Sequence, residues 1–183
     1  MPNLLTITRI LLSVFITCIV IFFPGKLIYT ISFILFCLAG LTDFFDGWYA
    51  RRNNQISDFG KMLDPIADKI LSISSLIALM INGIIEGFNI IPALIIIYRE
   101  IFVSGLREYL GEKSIKVNVT YQSKLKTATQ FTAISGFLIS PVISPDISYF
   151  NYLCSFLLSL SALTSISTGF NYFKITSEFL EKK

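Results

Sequence analysis

Histidine is absent from the 183 residues of the chain. This excludes histidine acid–base catalysis and histidine-ligated zinc, so a general base would have to be a carboxylate or a lysine. Cysteine is scarce, and Cys18, Cys37 and Cys154 all fall in apolar segments. We interpret them as small buried hydrophobic residues rather than as a disulfide or a metal site. Aspartate therefore becomes the main candidate for chemistry.

Charge is also sparse. Charged residues make up 15% of the chain and hydrophobic residues 54%, with a mean hydropathy of +0.70. A soluble domain cannot easily bury that much apolar surface, which indicates a membrane protein. Runs without charge include residues 10–25, 27–42, 70–85, 127–145 and 147–173. Several are shorter than the roughly 20 residues that a spanning helix needs, so polar residues must extend them at one end. We expect an all-α integral membrane protein of six transmembrane helices, forming a single domain over residues 1–183.

The net charge of +3 is modest, and the positions of the basic residues are more informative. If the N-terminus is cytosolic, Lys26 is the one basic residue on the outer side. The basic residues then expected toward the cytosol are Arg51, Arg52, Lys61, Arg107, Lys113, Lys116, Lys124, Lys126, Lys174, Lys182 and Lys183. This is the positive-inside pattern. It predicts a multi-pass protein of the cell membrane with both termini cytosolic.

Two acidic segments follow one another between the second and third predicted spans. Asp43 and Asp46 are three residues apart, and Gly47 and Ala50 follow at four and seven, so all four share one helix face. A short polar link at residues 52–57 can then turn the chain back.

Gly60, Asp64 and Asp68 repeat the pattern at steps of four on the next helix, so that four carboxylates converge. Carboxylates are preferred ligands of Mg²⁺, and small residues let a bulky ligand approach the backbone. The alternative is a set of solvent-facing acids at helix ends. It fits less well because these acids interrupt very apolar sequence.

The spacing D-x-x-D-G-x-x-A-R-x8-G-x-x-x-D-x-x-x-D resembles the signature of the CDP-alcohol phosphotransferase family, with every fixed position filled. The resemblance implies transfer of a phosphatidyl group from a CDP-activated lipid to an alcohol, with release of CMP. From the positive-inside pattern we expect this site to open to the cytosol. It implies two Mg²⁺ or Mn²⁺ ions held by the four aspartates, with Asp68 also serving as general base. The residues expected to bind the CDP-lipid are Gly47, Ala50, Arg51, Ser57 and Gly60.

Three further segments resemble the phosphatidylglycerophosphate synthase branch of that family. They are P-N-x-L-T-x-x-R at residues 2–9, R-E-x-x-x-S-G-L-R at 99–107 and S-K-x-K-T at 123–127. From the first we expect Asn3 and Thr6 to bind the CDP-lipid; the alternative is that they cap the first helix. From the others we expect the acceptor phosphate to be bound by Arg107, Lys124, Arg99 and Lys126. The alternatives are a structural ion pair between helices and, for the lysines, contact with acidic lipid headgroups.

These features predict a CDP-diacylglycerol-dependent phosphatidyltransferase whose acceptor is glycerol 3-phosphate. One alternative keeps the chemistry and changes the acceptor to phosphatidylglycerol (as in a cardiolipin synthase), serine or inositol phosphate. A more remote one is a divalent-ion transporter with the aspartates along its pathway. Besides the two substrates, the expected partners are the lipid bilayer and, from the resemblance, a second copy of the chain. We expect no nucleic-acid partner.

Overall fold

The chain is all-helical in the residues that the computed structural model describes. The backbone is described for residues 2–53, 58–113, 115, 120–143 and 148–181, and the side chains for 6–42, 62–113, 115, 120–143 and 149–181. Within these residues there are six α-helices and no strand. The helices are α1 (Pro2–Phe22), α2 (Lys26–Asn53), α3 (Asp58–Ile81), α4 (Ile90–Glu112), α5 (Tyr121–Ile139) and α6 (Ser148–Glu181). The predicted all-α class is confirmed.

The chain divides into two compact units. The first unit comprises Met1–Ile85 and Ile134–Asn151, and the second comprises Glu86–Ala133 and Tyr152–Lys183. Helices α5 and α6 each contribute one part to each unit. The expectation of one domain over the whole chain stays a prediction.

In the first unit, α1 packs against both α2 and α3. Its buried stripe is Thr6, Arg9, Ser13, Ile16 and Val20, at alternating steps of three and four residues. That spacing is typical of helices that pack nearly parallel. Near the start of both helices, the Thr6 hydroxyl donates to Asp64. Near their ends, Asn82 Nδ2 donates to the carbonyl of Val20 at 2.9 Å. Helices α1 and α3 therefore run in the same direction.

In the second unit, α4 and α6 also run in the same direction. The contacts between the two segments occur in the same order along both of them. Asn89 donates to Ser155 Oγ at 2.9 Å, and Arg99 Nε donates to the Ser165 carbonyl at 3.1 Å. Further along, the Arg107 guanidinium lies 5.5 Å from the centre of the Tyr172 ring.

Within the part of the chain that the structure describes, two stretches are long and apolar enough to cross a membrane, Gly87–Glu112 and Tyr149–Glu181. Shorter apolar stretches occupy Thr6–Phe22 and Lys26–Thr42. Large apolar side chains such as Phe22, Leu27 and Phe156 are exposed, which suits contact with lipid. A loop separates α3 from α4, where Gly83 (φ 67°) and Gly87 (φ 55°) adopt left-handed backbone conformations that favour glycine. The chain has the features of a membrane protein.

Candidate functional site

The acidic end of α3 is the centre of the candidate site. Asp64 and Asp68 lie one helical turn apart, and both are exposed, with 56% of the Asp68 side chain accessible. The same face of α3 continues as buried Ala67 and Leu71. The face is therefore polar where the helix begins and apolar further along, so the two carboxylates lie at one end of the helix pair formed with α1.

Helix α1 supplies a donor to each of these carboxylates. Thr6 Oγ1 donates to Asp64 Oδ1 at 2.7 Å, and Arg9 Nη1 donates to Asp68 Oδ1 at 3.3 Å. Thr6 and Arg9 are three residues apart, so they share the face that α1 buries, and each is only 3% exposed. Because α1 and α3 run in the same direction, the polar residues near the start of α1 pack against the acidic residues near the start of α3.

Thr6 does not cap the first helix. Helix α1 begins at Pro2, so both Thr6 and Asn3 lie inside it, and the Thr6 hydroxyl is turned to Asp64 instead. The side chain of Asn3 is outside the described residues. The expectation that both residues bind the CDP-lipid stays a prediction. Thr6 contacts the candidate site by its hydrogen bond to Asp64, one of the predicted metal ligands.

Arg9 was not predicted as a site residue, although the sequence contains a signal for it. It stands three residues after Thr6, and the same stripe continues through Ser13, Ile16 and Val20. A charged residue on the buried stripe of an otherwise apolar helix is a functional-site candidate by default. The identity of its partner could not be read from helical spacing, since Asp68 lies 59 residues further along the chain.

The first half of the acidic signature lies in α2. Helix α2 extends through the positions of Asp43, Asp46, Gly47, Ala50 and Arg51, which supports the helical spacing used in the prediction. The side chains at these positions are outside the described residues. Helix α2 is given to Asn53 and α3 from Asp58, and residues 54–57 of the expected link lie outside the described residues. Ser57 lies outside the described residues, and Gly60 lies in the first turn of α3.

Asp64 and Asp68 fit a divalent cation site by their chemistry and exposure. They are carboxylates one turn apart on one face, accessible from outside the helix pair. Oxygen donors of this kind suit Mg²⁺ or Mn²⁺. The two remaining ligands of the predicted set, Asp43 and Asp46, belong to the part of α2 whose side chains are not described.

The second unit contains a buried ionic cluster made of Arg99, Glu100 and Lys126. Lys126 Nζ forms an ion pair with Glu100 Oε1, and Arg99 Nη1 contacts the same oxygen at 3.4 Å. Arg99 also donates to Thr168 Oγ1 at 2.8 Å, in addition to the Ser165 carbonyl. Glu100 and Lys126 are buried. Two of the four predicted acceptor-binding cations therefore share one carboxylate, which is the ion pair between helices considered as the alternative.

Arg107 and Lys124, the other two predicted acceptor-binding residues, are exposed. Arg107 lies two turns beyond Arg99 on α4, with its guanidinium over the Tyr172 ring. Such a contact holds the cation by its attraction to the ring face while leaving it accessible. Lys124 lies in the first turn of α5. The structure thus joins Arg99 and Lys126 through Glu100 and places Arg107 and Lys124 at the surface of the second unit.

A family model described as CDP-alcohol phosphatidyltransferase matches residues 1–166. The chain belongs to the CDP-alcohol phosphatidyltransferase family, and the prediction made from the acidic signature is confirmed. Similar proteins named CDP-diacylglycerol–glycerol-3-phosphate 3-phosphatidyltransferase occur in several bacteria. That of Rickettsia felis is 37% identical over 98% of this chain and 96% of its own length. That of Rickettsia typhi is 39% identical over 95% of each chain. That of Salmonella choleraesuis is 38% identical over 78% of each chain.

Proposed function

We propose that the chain transfers the phosphatidyl group of CDP-diacylglycerol to glycerol 3-phosphate, giving phosphatidylglycerophosphate and CMP. The observation that carries this proposal is the similarity, over nearly the whole length, to bacterial proteins named for that reaction. The carboxylates at the start of α3 support it, because they give the chain an exposed acidic site at one end of a helix pair.

The reaction requires a base and a means of holding a highly charged diphosphate. The acceptor hydroxyl oxygen forms a bond to the phosphorus that carries diacylglycerol, and the bond from that phosphorus to the bridging oxygen breaks. CMP leaves with the bridging oxygen, and the hydroxyl proton passes to Asp68. Asp43, Asp46, Asp64 and Asp68 would hold two divalent ions, which when bound offset the diphosphate charge and stabilise the attacking and leaving oxygens.

The CDP-lipid pocket is assigned to the first unit. Gly47, Ala50 and Gly60 would let the cytidine approach the helix backbones closely. Arg51 would neutralise the diphosphate, with Ser57 and Asn3 donating to the nucleotide. Thr6 would act by orienting Asp64, since its hydroxyl already donates to that carboxylate.

The acceptor phosphate is assigned to basic residues of the second unit. Arg107 and Lys124 are exposed, so their charges are accessible to a dianionic ligand. Arg99 and Lys126 together carry two positive charges against the single negative charge of Glu100. Cations at this place would attract an anionic acceptor more strongly than a neutral alcohol.

The membrane topology we propose has six spans, with both termini and the active site on the cytosolic side. The parallel pairs α1/α3 and α4/α6 support it, since alternate spans of a multi-pass protein run in the same direction. The distribution of lysine and arginine along the chain supports the orientation. A homodimer is also proposed, from the family resemblance.

An acceptor panel tests the function. Purified protein in detergent receives CDP-diacylglycerol and Mg²⁺, and CMP release is measured with glycerol 3-phosphate, phosphatidylglycerol, serine or inositol phosphate. We expect release with glycerol 3-phosphate. Release only with another acceptor would keep the chemistry and contradict the assigned acceptor. Release with none, from protein that remains folded, would contradict the proposed transferase function.

A further inference from the structure

Arg9 is a buried cation in a helix that is otherwise largely apolar. Its side chain is 3% exposed, and it lies within the apolar stretch Thr6–Phe22. Burying a guanidinium in such surroundings is costly unless a negative partner and hydrogen bonds compensate it. The contact of Arg9 Nη1 with Asp68 Oδ1 supplies a negative partner.

The two members of this pair differ sharply in exposure. Arg9 is buried against the helix pair, whereas 56% of the Asp68 side chain is accessible. The exposure of Asp68 keeps the desolvation cost of its carboxylate low and leaves it accessible to a ligand. The arrangement places a buried guanidinium behind a carboxylate that faces outward.

The neighbouring contact shows that this end of α1 is held in register with α3. One turn before Arg9, the Thr6 hydroxyl donates to Asp64 at 2.7 Å. Two contacts on successive turns restrain both the rotation and the sliding of α1 against the acidic face. The position of Arg9 relative to α3 is therefore restrained by two contacts.

We propose that Arg9 is a positioning residue for Asp68: its guanidinium holds the carboxylate in the orientation that accepts the proton of the acceptor hydroxyl. This inference rests on the proposed function. A partly exposed aspartate would otherwise sample several rotamers, and small errors in placing a catalytic group lower the rate strongly. Groups behind a site that orient its ligands typically contribute about 10–100-fold to activity.

The first test separates kcat from KM. Arg9→Met should lower the kcat of CMP release about 10–100-fold, with the KM values for both substrates within about twofold of wild type. Arg9→Lys should retain part of the activity, since it keeps the charge but loses the planar array of donors. The matched control is Asn82→Ala, which removes the contact with the Val20 carbonyl at the other end of the same helix pair. It should leave kcat unchanged.

The second test uses no substrate and no metal. Thermal unfolding in detergent with a chelator is compared for wild type, Arg9→Met, Asp68→Asn and the double variant. Because the two side chains are in contact, we expect the shifts in Tm to be non-additive by about 2 °C or more. Additive shifts would contradict the contact on which the proposal depends.

The outcomes distinguish this inference from the proposed function. If wild-type protein releases CMP with glycerol 3-phosphate while Arg9→Met keeps a wild-type kcat, the role of Arg9 is contradicted and the function is supported. An equal loss of kcat in Asn82→Ala would show that Arg9 acts only as a structural link between the helices, which contradicts the positioning role. Failure of the wild-type reaction with every acceptor would contradict the proposed function itself.

Discussion

Replacing Glu100 by glutamine would remove the carboxylate that two buried cations share. Glu100 Oε1 contacts Lys126 Nζ and Arg99 Nη1, and the side chains of the three residues are between 7% and 13% exposed. Removing one partner of a buried ion pair typically costs about 3–5 kcal/mol, because the remaining charge stays buried without compensation. Arg99 retains its contacts with the Ser165 carbonyl and Thr168 in this variant.

Thermal unfolding followed by circular dichroism in detergent measures this loss. At roughly 2–4 °C per kcal/mol for a chain of this size, we expect Glu100→Gln to lower Tm by about 6–20 °C. The chain provides a matched control in Lys174 and Glu178, an exposed pair at 3.9 Å whose side chains are 66% and 55% accessible. Exposed pairs contribute about 0–1 kcal/mol, so Glu178→Gln should change Tm by no more than a few degrees.

A second substitution tests the reasoning more strictly. Adding Lys126→Met to Glu100→Gln removes the cation that Glu100 had paired and should restore part of the lost stability. Equal effects of Glu100→Gln and Glu178→Gln would refute the claim that this cluster is buried and energetically coupled. Absence of any rescue in the double variant would refute the energetic coupling of Glu100 with Lys126.

Three further predictions concern activity. Asp68→Asn should lower kcat about 10²–10⁴-fold at unchanged fold, measured as CMP release, and activity within threefold of wild type would exclude Asp68 as the base. Arg107→Ala should raise the KM for glycerol 3-phosphate about 10–100-fold, because a charged hydrogen bond to phosphate contributes about 1.5–3 kcal/mol. The KM for CDP-diacylglycerol should stay unchanged. An unchanged KM for glycerol 3-phosphate would count against the role of Arg107. Thr6→Val should lower kcat about tenfold while Thr6→Ser stays close to wild type, because only the serine keeps a donor to Asp64; equal rates for the two variants would argue against the hydroxyl.

Helical periodicity explains why much of the site could be predicted. Steps of three and four residues in the acidic signature indicated two helices, and the two halves of the signature lie in α2 and α3. Asp64 and Asp68 were placed on one face for the same reason. The residue types and their spacing also indicated the family, which the family model confirms.

Contacts between helices could not be predicted in the same way. Periodicity shows which residues share a face but not which face of another helix lies opposite. The pairs Arg9–Asp68 and Glu100–Lys126 join residues 59 and 26 positions apart. The contacts that Arg99 and Lys126 both make with Glu100 could therefore not be read from helical spacing.

The most direct test of the central claim is the identity of the lipid product. Purified protein is given CDP-diacylglycerol, Mg²⁺ and isotopically labelled glycerol 3-phosphate, and the lipids are analysed by mass spectrometry beside an Asp68→Asn control. We expect labelled phosphatidylglycerophosphate, formed in equal amount with CMP and absent from the control. CMP released without label in any lipid, or label incorporated equally by the Asp68→Asn variant, would contradict it.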